Sequence, residues 1–189
     1  MIDLKYETFN PKIHDVFKVA KLFYDVDFRT FDMLFKSEEK AIETIANDFK
    51  KEKTDDYFKV ILNNDNQIIG LLILYTSKTS HKLYFKSPKL VIVDILDHFV
   101  LCDICDDDLY LAQIAIDSSL RGQGLGRKVI FDVIDYAKSK NYKRVTIDAD
   151  FRNVGARKLY ETLGFKEFNK KRVKIGSFER GMHNMELIL

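Results

Sequence analysis

Apolar residues recur along this chain in two rhythms: a spacing of three to four that marks amphipathic helices, and alternations or short runs that mark strands. Leu4 to Phe9 reads as a short first strand. Asn10-Pro11 then predicts a helix start, an N-cap residue followed by proline at the first helical position. Ile13, Val16, Phe17, Ala20 and Phe23 would form its one apolar face. Asp25 to Lys36 interrupts the pattern, with Asp27, Arg29 and Asp32 among Phe28, Phe31 and Phe35, rings that suit either the core or the wall of a pocket. Ser37 predicts the cap of a second helix, with Glu38 and Glu39 where the helix dipole favours them. Ala41, Ile42, Ile45, Ala46 and Phe49 are its buried stripe.

Tyr57 to Leu62 and Ile68 to Tyr75 flank the turn composition Asn63-Asn64-Asp65-Asn66 and read as an antiparallel hairpin. Ser87-Pro88 opens another helix, running to about Cys102, apolar around much of its surface and broken by Asp94, Asp97 and His98. A helix so apolar is buried or covers a partner. Leu109 to Ile116 and Val145 to Asp150 read as strands, and Val129, Ile130, Val133, Ile134 and Ala137 recur at helical spacing between them. Phe165 to Lys174 and Met182 to Leu189 alternate like two last strands around Ile175 to Gly181.

Composition narrows the class. At 189 residues, 46% hydrophobic and 13% aromatic, the expectation is one packed domain over residues 1–189. A net charge of +2 is too small to point to nucleic acid, and Lys170 to Lys174 on an alternating strand reads as a solvated face. Asp3, Lys5 and Glu7 interrupt any leader-like apolar core, and no uncharged run approaches the roughly 18 residues that span a bilayer. The expectation is therefore a cytoplasmic protein without nucleic-acid or membrane partners. Cys102-x-x-Cys105 lacks the second ligand pair of a zinc site, so no metal is expected. It also lacks the strand before and helix after of a redox motif, leaving two ordinary thiols as the plainer reading. Asp103, Asp106, Asp107 and Asp108 read as a solvated loop or as a negative rim that attracts an ammonium ion.

The chemistry gathers around Arg121-Gly122-Gln123-Gly124-Leu125-Gly126-Arg127, set between a strand and a helix. Unpaired N–H groups and the dipole make a helix N-terminus electropositive, glycines let the backbone approach a ligand, and Arg121 and Arg127 add charge. The spacing matches neither GxGxxG nor GxxxxGK[ST]. The order Arg-x-x-Gly-x-Gly after a strand instead resembles the pyrophosphate loop of the GNAT N-acetyltransferase superfamily. Asn153, Ala156, Tyr160, Gly164 and Phe165 fall on a second signature that is similar to that superfamily's Asn-x-x-Ala-x-x-x-Tyr-x-x-x-Gly-Phe.

This resemblance implies an α/β (α+β) three-layer fold, a central mixed, mainly antiparallel sheet with helices on both faces. The apolar helix at about 88–105 is then an insertion between the third and fourth strands, a candidate for a homodimer contact or an acceptor-site wall. It also implies acetyl-CoA as co-substrate and a primary amine as acceptor, joined by direct attack in a ternary complex. The backbones of Ile114, Ala115 and Ile116 would pair with pantetheine where the fourth and fifth strands splay apart. Arg121, Gly122, Gln123, Gly124, Leu125, Gly126 and Arg127 would hold the pyrophosphate. Asn153 would bond the pantetheine arm, with Ala156 packing beside it. Tyr160 would protonate the leaving thiolate, a task that suits a phenol with a pKa near 10.

The base is less marked. Tyr110 and Gln113 are poor bases at neutral pH, and Asp108 lies just before the strand. Asp148 and Asp150, two apart and so on one face of their strand, are the candidates, against a structural hydrogen-bonding role. Histone-type members of the superfamily carry a glutamate on the fourth strand; its absence here keeps a second reading open, a non-catalytic acyl-CoA-binding sensor or interaction module. A redox protein using Cys102 and Cys105 is a third.

Overall fold

A computed structural model describes residues 3–51, 56–79, 85–176 and 178–189. Its strands are β1 (Lys5–Thr8), β2 (Phe58–Leu62), β3 (Ile68–Tyr75), β4 (Asp108–Ile116), β5 (Arg144–Asp150), β6 (Lys166–Ile175) and β7 (Phe178–Ile188). Its helices are α1 (Val16–Val26), α2 (Phe28–Leu34), α3 (Glu38–Phe49), α4 (Pro88–Val100), α5 (Leu125–Ser139) and α6 (Val154–Thr162). One seven-stranded sheet has the order β1-β2-β3-β4-β5-β7-β6. The β4–β5 pair is parallel, while β1–β2, β2–β3, β5–β7 and β6–β7 are antiparallel. The α/β class and the mixed, mainly antiparallel sheet are as expected.

Contacts divide the chain into two compact units. The first holds β1, α1 to α3, β2, β3 as far as Leu74, the first turn of α4 and Gln113–Val129. Its core is a cluster of rings: Phe49 lies 5.3 Å from Phe23, 5.4 Å from Phe58 and 5.9 Å from Phe9, each pair edge to face. Such pairs add roughly 0.5–1.5 kcal/mol beyond the area they bury. Phe31 joins this core at 1% exposure, whereas Phe28 stays exposed under Arg29.

Asn10-Pro11 does not start a helix. Asn10 closes a turn, its carbonyl accepting from the N–H groups of Ile13 and His14, and Asp15 caps α1 by accepting from Phe17 and Lys18. A carboxylate two and three residues before free amides outcompetes a proline already used in the turn. The helix therefore starts later and faces differently: Val16, Val19, Ala20, Leu22 and Phe23 are buried, while Ile13 and Phe17 are exposed. Ser37 caps α3 as expected, and Gly164 (φ +94°) lies just past the end of α6.

The second unit holds the remainder of α4, Ile92–Ala112, most of α5 and everything from β5 onward. Leu109, Tyr110 and Leu111 of β4 are buried in succession, the continuous burial a parallel strand requires. Asp108 is not part of a solvated loop. It opens β4 at 4% exposure and accepts from Arg144, whose guanidinium also meets Glu186 at 2.8 Å. A buried carboxylate needs such a partner. β6 and β7 extend through most of the stretch read as their connection, pairing down to Ile175 and Phe178, with residue 177 outside the described residues.

α4 enters between β3 and β4 and is held at both ends by carboxylates distant in sequence. Within the first unit, buried Asp48 accepts from the backbone N–H groups of Lys86 and Ser87 at 2.9 and 2.8 Å and from the Ser87 hydroxyl at 2.8 Å. Within the second, Asp148 accepts from the Cys102 N–H at 3.0 Å. α4 buries Leu90, Val93, Leu96 and Val100 and exposes Ile92, Ile95 and Phe99. Among the described residues no helix is long and apolar enough to cross a membrane.

Candidate active site

The ladder between β4 and β5 belongs to the second unit, and the last residues of β4, from Gln113 on, belong to the first. The register of β4 with β5 covers Asp108 to Leu111 against Arg144 to Ile147, and β4 continues to Ile116. Ile114, Ala115 and Ile116 fall in that continuation. The close approach of β3 is set by Gly70: a Cβ there would stand 2.4 Å from the carbonyl oxygen of Ala115. Asp117 follows, its N–H donating to the Ile69 carbonyl at 2.8 Å, its carboxylate accepting from the N–H and hydroxyl of Ser119 and pairing with Lys18. Lys18 above all, then Ser119, hold the Asp117 carboxyl at about 2, well below the usual carboxylate range.

The loop that follows is exposed from Arg121 to Gly124, and Leu125 opens α5. Gly122 (φ +79°) and Gly124 (φ +74°) take the left-handed backbone that side chains resist, and nothing lies within 4 Å of a Cβ built at either or at Gly126. Their reason is thus the turn and open space rather than packing within the protein. Backbone N–H groups, a helix N-terminus and Arg121 and Arg127 suit a pyrophosphate, so these residues fit acetyl-CoA. Asp117 fixes the entrance to this loop. Asp117→Asn keeps an oxygen for Ser119 and removes the charge that Lys18 pairs with, and should cost about 0.5–1 kcal/mol near pH 7. Because the carboxyl is depressed in the folded chain, that stability is complete above the ordinary carboxylate pKa and lost as pH falls toward 2. Thermal unfolding of both forms between pH 7 and pH 3 should show the gap narrowing with acidity.

In the second unit, Asn153 caps α6, its Oδ1 accepting from the Ala156 N–H at 3.1 Å. The cap leaves the amide N–H₂ of this exposed residue as a donor. α6 carries Tyr160, buried at 6% exposure with its ring 6.1 Å from that of Phe165. Burial, and secondarily the charge of Asp148, push the Tyr160 phenol above its ordinary pKa.

The two base candidates separate. Burial raises the Asp148 pKa, a shift its hydrogen-bond donors only partly offset. Those donors are the Tyr110 hydroxyl at 2.8 Å, the Cys102 N–H at 3.0 Å, the Cys102 thiol and the Asn184 amide. Asp150 is also pushed up by burial but falls below the usual range on balance, because Arg152 donates from its backbone and side chain at 2.7–2.8 Å. Tyr110, set aside as a base, is a donor to one, and Asn184 is a partner that no local pattern singled out. Its only sequence signal is a polar residue between the apolar Met182 and Met185 on a strand whose centre is buried.

Cys102 is buried and its thiol pushed up, chiefly by burial and then by Asp148, whereas Cys105 is exposed; both are free thiols. Among the described residues no group of three or more His, Cys, Asp or Glu side chains is arranged to hold a metal. A cavity of about 530 Å³ in the first unit, lined by Lys5, Glu7, His14 and Lys18 among others, contains none of the residues expected to bind or react.

The model of the acetyltransferase (GNAT) family matches residues 21–165. A probable N-acetyltransferase, camello, from Xenopus laevis is 36% identical over 62 residues, 33% of this chain and 28% of that protein. The [ribosomal protein bS18]-alanine N-acetyltransferase of Salmonella typhimurium is 30% identical over 84 residues, 44% of this chain and 57% of its own length. The chain thus spans well under two thirds of these curated relatives. Among solved structures, an N-acetyltransferase from Staphylococcus aureus Mu50 superposes with a TM-score of 0.68 at 20% identity, covering 97% of this chain and 100% of that one. The ribosomal-protein-S18-alanine N-acetyltransferase of Escherichia coli gives 0.56 at 16% identity, covering 98% and 94%. At these identities the structures speak for the fold.

Proposed function

The chain belongs to the acetyltransferase (GNAT) family, and from that premise we propose that it moves an acetyl group from acetyl-CoA to a primary amine by direct attack in a ternary complex. Residues 1–189 are read as one such domain, with 88–105 inserted. The observation that carries the reading is the pair Asp148 and Tyr160: a carboxylate with a raised pKa in electrostatic reach of a buried phenol. Burial raises both, so near neutral pH the carboxylate can take a proton while the phenol still holds one to give.

Acetyl-CoA, when bound, supplies an activated acyl thioester. The chain's own residues do the rest. The main chain of Ile114, Ala115 and Ile116 and the side chain of Asn153, with Ala156 beside it, take the pantetheine arm. Arg121 to Gly126, with Arg127, take the pyrophosphate. Asp148 accepts, directly or through one water, the proton the amine loses as its nitrogen bonds the acyl carbon. Tyr160 gives its proton to the sulfur as the carbon–sulfur bond breaks, and is reprotonated from solvent. Asp150, committed to Arg152, takes no part in the proton transfer.

Thermal unfolding with acetyl-CoA, free CoA, NAD and ATP at matched concentration tests the donor. A ligand at about a hundred times its dissociation constant stabilises by roughly 2.7 kcal/mol. The midpoint should rise with the two CoA compounds only; no shift at saturating levels sinks the reading. Release of CoA thiol with an alkylamine, a peptide α-amine and a lysine side chain then sorts the acceptors. The α-amine is included because the Salmonella relative is named for an alanine of a ribosomal protein.

A further inference from the structure

Asn184 of β7 is completely buried, and its amide is oriented by two acceptors. One N–H donates to the Val100 carbonyl at 3.1 Å, at the end of α4, and the other to Asp148 Oδ1. A carbonyl and a carboxylate can only accept, so the amide is not free to turn over. Its own Oδ1 is buried with no hydrogen-bond partner among the described residues. A buried acceptor left unpaired is costly, a cost consistent with an orientation kept for what the nitrogen does. On Oδ2 of the same carboxylate, the Tyr110 hydroxyl and the Cys102 N–H donate from β4 and from the residues just after α4. Three elements of the second unit converge on one carboxylate.

We propose that Asn184 and Tyr110 are positioning residues for Asp148, holding its carboxylate in one orientation and tying it to the end of the α4 insertion. This rests on the reading of Asp148 as the base. The groups around it leave the two donors in charge. Tyr110 stays protonated, because burial first and Asp148 second push its pKa up. From α6, Tyr160 is neutral. Cys102, after α4, is neutral by burial, and its thiol is a further donor to Asp148. Asp97 of α4, whose charge also bears on Tyr110, is paired with Arg180 of β7, which acts on Asp150 as well. Lys171 of β6 bonds the Leu101 carbonyl and Asp103 at 2.8 and 3.0 Å, and its charge bears on Cys102. Each donor favours the charged carboxylate, so removing one should raise the pH at which the base loses its proton.

The test is the pH dependence of kcat/KM for Tyr110→Phe, which keeps the buried ring, and for Asn184→Ala, which removes the donor at the other oxygen. In each the acidic limb should move up by about one pH unit, a tenfold loss of rate below the limb, with acetyl-CoA binding held within about twofold. Folding is checked by thermal unfolding, and either variant that folds decides the matter. An unmoved limb in a folded variant, with Asp148→Asn still abolishing transfer, overturns this inference alone. Near-normal transfer by Asp148→Asn removes the base assignment and this inference with it. A wild-type chain that binds acetyl-CoA but acetylates no amine removes both as well.

Discussion

Tyr160→Phe should lower kcat about 10²–10⁴-fold, the range a positioned proton donor supplies, with acetyl-CoA affinity unchanged within about twofold. The expectation follows from where the phenol sits. It is carried by a helix whose first turn is fixed by the Asn153 cap, and its ring is buried beside Phe165. Phenylalanine keeps that packing and removes only the hydroxyl, so a large change in stability is not expected. Burial and the Asp148 charge keep the phenol protonated beyond its ordinary range, so a proton is available wherever the amine is neutral. The wild-type rate should accordingly show no loss between pH 8 and roughly 10, the ordinary phenol pKa, from ionisation of the acid. CoA-thiol release and a binding titration on the same preparation separate the two effects. Unchanged turnover in Tyr160→Phe would return this side chain to packing and move the proton donor elsewhere.

The largest stability effect should come from a residue with no side chain. Gly70→Ala places a methyl 2.4 Å from the Ala115 carbonyl oxygen, 3.0 Å from Ile116 Cδ1 and 3.2 Å from Ile61 Cδ1. Two isoleucine tips can give way; a main-chain carbonyl between paired strands cannot, so β3 and β4 must separate. Overpacking of this kind costs about 1–3 kcal/mol, and more where backbone must move. The displaced segment is the one proposed to pair with the pantetheine arm, so acetyl-CoA should bind more weakly too. The midpoint of denaturant unfolding should fall, and the stabilisation by saturating acetyl-CoA should shrink with it. A variant as stable as the wild type would mean that β4 is not held against β3 as closely as Gly70 requires.

The sequence by itself determined the elements whose reasons are local. The glycine loop between strand and helix, the Asn153 cap, Gly164 past the end of α6 and the β2–β3 hairpin all depend on residues within a few positions of one another. In each, backbone conformation and a side-chain-to-backbone bond are set by the same short string, so the string is enough to read them. The α1 start is ambiguous on the same local grounds: Asn10-Pro11 and Asp15 are both good openings, and only the turn that consumes Asn10 decides between them.

Only the tertiary structure decided which polar residues meet. Asp48 holds the start of α4 from 38 and 39 residues away, and Asp148 draws its donors from 36, 38 and 46 residues away. Asp108 read as one acidic residue in a run until Arg144, 36 positions on, was seen to bury it with charge intact. Asp148 and Asp150 look alike in the strand, two residues apart on one face. What distinguishes them is that Arg152 neutralises one, while the fold desolvates the other among neutral donors. The energy of a carboxylate depends on its dielectric surroundings and nearest charges, and those surroundings come from strands and a helix end that the chain brings together only on folding.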